Sequence, residues 1–258
     1  MNRFLANGTV NASQIGNGSP LVLFHSLLSD RASFDRIAPA LAKNFRVVVP
    51  ELPGFGSSEI VGGGLDAVAD RMAQAVEDCA EGDDVIVLGN GYGGFVALQM
   101  AIRHPHLAKT LILADCGACF SEPGRQAFRD MATAAAANGL TAIADVAMRR
   151  LFSLQFQNEN PDLMRDRREA FVQTNPEVFR TACGALASLD LRRHLDKVTM
   201  PVLVMVGEQD EATPPSMSRE LAALLPNAQL VILQGCAHVP QLQSPEQFLA
   251  EVGKFLRR

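Results

Sequence analysis

Short apolar runs separated by stretches of helical spacing organise this chain. Leu21–His25, Phe45–Val49, Asp84–Leu88, Thr110–Ala114, Val202–Val206 and Gln229–Leu233 are rich in Val, Ile and Leu and read as buried strands. Apolar residues recur at helical spacing over Phe34–Lys43 (Phe34, Ile37, Ala38, Leu41), Leu65–Ala80, Gly93–His104, Ser216–Leu225 and from Pro245 onward. Such alternation predicts an α/β chain with a mostly parallel central sheet, because the crossovers that parallel strands require place helices on both faces. The N-terminus differs: Arg3–Ser13 reads as a hairpin, with Asn7-Gly8 supplying the positive φ of its turn.

Between Asp115 and Pro201 the strands lapse. Gly124–Asn138, Leu140–Phe152 and Pro161–Thr174 carry helical spacing, rich in Ala and Arg, with no convincing strand among them. The expected organisation is a core of residues 1–116 and 198–258, with residues 117–197 inserted between two strands as a helical cap.

Composition narrows the function. The 258 residues are 48% hydrophobic, which excludes disorder and suffices for one full α/β core. Net charge is −5 with no basic block, which argues against a nucleic-acid surface. No apolar run approaches the ~18–20 residues of a membrane span, and Met1–Ser19 has no apolar signal core. The expectation is a soluble, cytoplasmic protein acting on a small molecule, with homo-oligomerisation left open. Five cysteines, an odd number, suggest reduced thiols. Cys116-Gly-Ala-Cys119 has metal-ligand spacing but lacks a second pair, so no metal site is expected.

The most informative stretch is Val85-Ile-Val-Leu-Gly-Asn-Gly-Tyr-Gly-Gly-Phe95, a buried strand entering a helix through a tight turn. Gly89-Asn-Gly91-Tyr-Gly-Gly94 matches the G-x-G-x-x-G dinucleotide fingerprint, and Asp115 lies where a ribose-binding carboxylate would sit. That fingerprint belongs to a first βα unit, whereas two strands and two helical stretches precede this one. The other reading is a nucleophile elbow, G-x-S-x-G, in which Gly91 occupies the serine place and Gly89, Gly93 and Gly94 permit close packing. Asp210 and His238 follow in the nucleophile–acid–base order of such elbows. His238 would be the base, and Asp210 would orient it and stabilise its imidazolium. Asp115 is a competing acid.

With these motifs the chain resembles the α/β-hydrolase superfamily end to end. Phe24-His25-Ser26-Leu27 resembles its oxyanion loop. Pro50-Glu-Leu-Pro-Gly-Phe-Gly-Ser-Ser58 resembles its P-D-L-P-G-F-G-x-S loop, with Glu51 replacing Asp. Val206-Gly-Glu-Gln-Asp210 resembles the acid loop, and Gly235-Cys-Ala-His238 the histidine loop. Within the superfamily, His-Ser-Leu, the segment Gly139–Phe152 and Ala182–Leu195 look closest to 3-oxoadipate enol-lactonases.

The resemblance implies an oxyanion hole from the backbone N–H groups of Leu27 and Tyr92, no cofactor, and a carboxylate-bearing substrate. Arg149 and Arg150 are adjacent on a helix, so at most one faces inward; Arg150 is the candidate, with Arg125 and Arg129 weaker. Ser26 would add a hydroxyl near the substrate, and Phe120, Phe152 and Phe156 would line an apolar pocket. The leading function is hydrolysis of a small enol-lactone-like ester by Ser–His–Asp chemistry, in a form inactive or trapped because Gly91 has no side chain. A second reading is a serine-free enzyme in which His238–Asp210 activates water or moves a proton, as in elimination or carbon–carbon cleavage. A non-catalytic small-molecule-binding relative and a dinucleotide-binding protein are the others.

Overall fold

The computed structural model describes residues 1–257. The chain opens with β1 (Asn2–Leu5), β2 (Val10–Ile15) and β3 (Pro20–Phe24), then a single helical turn, α1 (Ala38–Leu41), and β4 (Arg46–Pro50). Next come α2 (Gly64–Ala80), β5 (Ile86–Asn90), α3 (Tyr92–Arg103) and β6 (Thr110–Ala114). Five helices follow without a strand between them: α4 (Glu122–Asn138), α5 (Ala144–Leu151), α6 (Leu154–Glu159), α7 (Pro161–Val172) and α8 (Pro176–Ser188). The chain then returns to the sheet as β7 (Val202–Gly207), α9 (Pro215–Leu224), β8 (Ala228–Leu233), α10 (Pro240–Gln243) and α11 (Pro245–Leu256).

The eight strands form one sheet in the order β1-β2-β4-β3-β5-β6-β7-β8. The expected hairpin pairs β1 with β2, Leu5 opposite Val10, and its turn runs through positive φ at Ala6, Asn7 and Gly8. β2 joins β4 antiparallel, and every later pairing is parallel. Alternate strand residues feed two cores. Val22, Phe24, Val87 and Leu111 pack under α2 and α3. Leu21, Leu23, Val47 and Ile112 pack against Phe34, Ile37 and the α11 residues Phe248 and Val252.

The connection from β3 goes to β4 on one side, and the chain then crosses to β5 on the other. Strand order reverses at β3 and β5, and such a switch point opens a crevice at the strands' carboxyl ends. The loops after β3 and β5 meet there.

Two sequence expectations change. Phe34–Lys43 is not one helix: a 3-10 turn at Arg31–Phe34, capped by the Asp30 carboxylate at Ala32 N (3.0 Å), precedes the one-turn α1. Pro39 explains the break, since a proline without an N–H fits only a helix's first turn. Helix α8 was not anticipated, although Asn175-Pro176 gives a start signal: Asn175 Oδ1 accepts from Glu177 N at 2.9 Å. Among the described residues, no helix is long and apolar enough to cross a membrane.

The tightest packing lies where α3 meets the sheet. A Cβ on Gly93 would run into the carbonyl oxygens of Phe24 and His25, whereas one on Gly184 in α8 would meet nothing within 4 Å. Gly93→Ala is expected to destabilise the fold by about 1–3 kcal/mol. Gly184→Ala should stabilise it by about 0.5–1 kcal/mol. Urea midpoints of the two variants test this, and equal shifts would refute the close approach.

Candidate active site

The elbow between β5 and α3 turns at Gly91, where φ is +54° and ψ −120°. Gly91 N–H donates to Ala114 O at 2.9 Å, and Gly91 O accepts from Gly94 N at 2.9 Å. The backbone therefore holds the strained geometry of an elbow without the side chain that such strain ordinarily presents. The place of that side chain is not vacant. A Cβ built on Gly91 would stand 2.7 Å from His238 Nε2 and against Ser26 Oγ.

Ser26 is fixed from behind by His25. Leu52 N–H donates to His25 Nε2 at 3.1 Å, so the ring's proton is on Nδ1, which donates to Ser26 O at 2.9 Å. Full burial pushes the His25 pKa down, keeping this tautomer neutral. With the Ser26 carbonyl held toward His25, the N–H of Leu27 in the same planar peptide points the opposite way. Among the described residues Leu27 N–H finds no protein acceptor. Tyr92 N–H, at the first position of α3, likewise finds no acceptor among the described residues. Leu27, Tyr92, Gly91, Ser26 and His238 line one pocket.

Of the two acids, His238 touches Asp210: Nδ1 lies 2.8 Å from Asp210 Oδ2. Asp210 also accepts from Thr213 Oγ1 (2.7 Å), Thr213 N (3.0 Å) and Ala212 N (2.8 Å). Burial alone would raise the Asp210 pKa, but His238 and Thr213 together bring it below the usual carboxylate range. An ionised Asp210 holds the His238 proton on Nδ1 and leaves Nε2 as the basic nitrogen, facing residue 91. Thr213 went unnoticed in the sequence, although Asp-x-x-Thr is the pattern of a carboxylate accepting from its own following turn.

Asp115 stands behind this pair. Its φ is +54°, and it accepts from Gly207 N (2.9 Å) and Asn90 Nδ2 (3.1 Å). Asn90 Nδ2 also donates to His238 O (3.0 Å), and Asn90 Oδ1 accepts from Gln241 Nε2 (3.0 Å). Asp115 thus braces the loops after β5, β7 and β8. Being fully buried, it is unable to face a ribose as a dinucleotide site would require. Burial, and then the neighbouring Asp210 charge, push its pKa well above the usual range.

On the inserted helices, Arg149 is exposed while Arg150 turns inward and lines the pocket. Its guanidinium lies 5.7 Å from the Phe128 ring centroid and, among the described residues, makes no ion pair. Burial lowers its pKa, and nearby Asp210 partly offsets this. Arg125 is structural, donating to the carbonyls of Phe120, Ala187 and Leu189, and Arg129 pairs with Glu122 at the surface. Phe120 lines the pocket, whereas Phe152 and Phe156 stack on each other at 5.4 Å away from it. The pocket holds about 30 Å³, room for a water or two. Cys116 is buried, and its thiol pKa is raised well above the ordinary value, mainly by burial. Cys119 is only partly buried, 3.9 Å from Glu220.

Residues 19–245 match the family described as alpha/beta hydrolase fold, and the chain belongs to that family. The pimeloyl-acyl-carrier-protein methyl ester esterase of Aliivibrio salmonicida is 28% identical over 94% of both chains. The enol-lactonase of Burkholderia xenovorans LB400 superposes with a TM-score of 0.89 at 26% identity over the whole of both chains. A thermophilic esterase from Thermogutta terrifontis gives 0.88 at 25% identity, over 100% of this chain and 98% of that one.

Because the fold favours neutral Asp115, the stability it contributes is present below the ordinary carboxylate pKa and is lost as pH rises through the raised folded value. As pH rises above the ordinary carboxylate range, Asp115→Asn, which cannot ionise, is expected to lose less Tm than the native chain. Parallel Tm profiles for the two proteins would refute this assignment.

Proposed function

We propose that this chain hydrolyses a small ester or lactone that carries a carboxylate, enol-lactone-like in size and charge. The observation that carries this reading is a single pocket lined by the basic face of His238 and by two backbone N–H groups and a guanidinium that have no hydrogen-bond or ion-pair partner among the described residues. His238, held by Asp210, takes a proton from the attacking hydroxyl and returns it to the leaving oxygen. The N–H groups of Leu27 and Tyr92 stabilise the tetrahedral oxyanion. Arg150 receives the substrate's carboxylate, with Ser26 beside the scissile bond. Residues 117–197 act as a cap over the core of residues 1–116 and 198–258, and carry Arg150 toward the substrate. The relatives named as an esterase and as an enol-lactonase support an acyl–oxygen bond as the one broken.

Gly91 supplies no attacking group. A chain disarmed at this position and a working enzyme whose attack comes from elsewhere make different demands on the space around it. Ser26 Oγ and His238 Nε2 occupy that space, and we read the chain as the working enzyme. A serine at residue 91 would shift the ends of these two side chains on a backbone that already has the φ of an elbow.

Hydrolysis of matched esters with and without a distal carboxylate tests the reading. Arg150→Met should raise KM for the carboxylate-bearing esters by roughly 10- to 100-fold, as expected for a charged hydrogen bond, and spare the neutral ones. His238→Ala should lower kcat by about 10³-fold or more on both. Equal KM changes for both ester classes would exclude Arg150 as the carboxylate site. Gly91→Ser should give no gain in turnover; a gain of several orders of magnitude would identify a disarmed serine hydrolase instead.

A further inference from the structure

From the crowding at Gly91 we infer that Ser26, on the loop after β3, is the nucleophile of this enzyme, its hydroxyl occupying the space that an elbow serine would fill. The inference rests on the hydrolase reading above and names its attacking atom.

Three observations lead to it. Ser26 Oγ and His238 Nε2 both lie within 2.7 Å of the point where a Cβ of residue 91 would stand, so the hydroxyl and the basic nitrogen share one small space. A Cβ at residue 91 would press on both. Second, Ser26 Oγ has no hydrogen-bond partner among the described residues, yet Ser26 lines the pocket. The hydroxyls of Ser29 and Ser33, also without partners, are sealed away from it. Ser26 Oγ makes no hydrogen bond to His238 Nε2; His238 Nδ1 is held by Asp210 at 2.8 Å, and the activated pair forms when the hydroxyl turns to Nε2. Third, the Ser26 backbone is held still: its carbonyl accepts from His25 Nδ1 at 2.9 Å and from Ser29 N at 3.3 Å.

The reaction then balances as ordinary acyl transfer. Ser26 Oγ adds to the ester carbonyl carbon as its proton passes to His238 Nε2. The carbonyl oxygen takes the negative charge and is held by the N–H groups of Leu27 and Tyr92, which line the same pocket. Collapse breaks the acyl–oxygen bond, and His238 gives the proton to the departing alcohol or enol oxygen. Water, deprotonated by His238, then adds to the Ser26 ester, and its collapse releases the acid and restores the serine hydroxyl. The adjacent peptide N–H of Leu27 serves Ser26 as the N–H following an elbow serine serves that serine. The nucleophile has moved to the other wall of the crevice, while base and oxyanion donors have stayed.

The test is labelling of the native chain with an alkyl fluorophosphonate, which phosphonylates an activated serine, followed by peptide mapping. The expected result is one adduct, on Ser26, absent from His238→Ala and from Ser26→Ala. Ser26→Ala, checked for native circular dichroism, should also lose at least about 10³-fold in ester kcat. An adduct on another residue, or none, overturns the assignment. Ester hydrolysis that depends on His238 in an unlabelled chain leaves the hydrolase reading standing without Ser26. Labelled Ser26 in a chain that turns over no ester supports Ser26 and sinks the hydrolase reading. Because labelling is read on the native chain, a Ser26→Ala variant that misfolds does not obscure the outcome.

Discussion

The close approach of the first turn of α3 to the ends of β3 and β5 is the constraint on which the site depends. A Cβ on Gly89 would meet Gly93 O and Gly94 Cα, and one on Gly93 would meet the Phe24 and His25 carbonyls. With hydrogen as the side chain at both positions, the helix N-terminus drops into the crevice where strand order reverses. Its unpaired N–H groups and positive dipole end then lie beside the Ser26-Leu27 peptide. Neither wall would make an anion site alone. Packed this tightly, they present two donors to one small pocket.

The remaining groups arrive on loops that the sheet has already aligned. Asp115, Asp210 and His238 follow β6, β7 and β8, and the parallel register puts all three at one edge. Their polar atoms then satisfy one another in a fixed order: Thr213 and His238 hold Asp210, while Asn90 ties Asp115 to the His238 backbone. The inserted helices join the same arrangement, since His238 N–H donates to Leu151 O at 3.1 Å, next to Arg150.

Most of the sheet was legible because a strand buried on both faces must be apolar throughout, and such runs stand out between glycine and proline. The order of position 91, Asp210 and His238 was legible because one sheet edge imposes it. That at most one of Arg149 and Arg150 faces inward followed from helical spacing; which of the two did not. What escaped had local or three-dimensional causes. The broken segment before β4 keeps helical spacing although Pro39 stops a long helix. Thr213 and Asn90 are ordinary turn and strand-end residues until the fold brings carboxylates against them. The choice between Asp115 and Asp210 turned on which strand loop reaches His238, and that information is not in the order of residues. Ser26 was expected near the substrate, but not that its hydroxyl would stand against residue 91, far from it in the chain and brought beside it by the β3–β5 pairing.

That proximity changes what a glycine at the elbow means. An elbow serves catalysis by holding a hydroxyl between a basic nitrogen and two N–H donors, and these define a place in space before they define a residue. The atoms nearest the place of the missing Cβ belong to side chains, Ser26 and His238, while the N-terminus of α3 and the Ser26-Leu27 turn line the same pocket. The backbone part of that lining does not depend on the side chain at residue 91. On the proposed mechanism, a hydroxyl entering from the opposite wall meets the same base and the same donors, and glycine leaves it room. Gly91 is then the side chain whose absence the geometry uses.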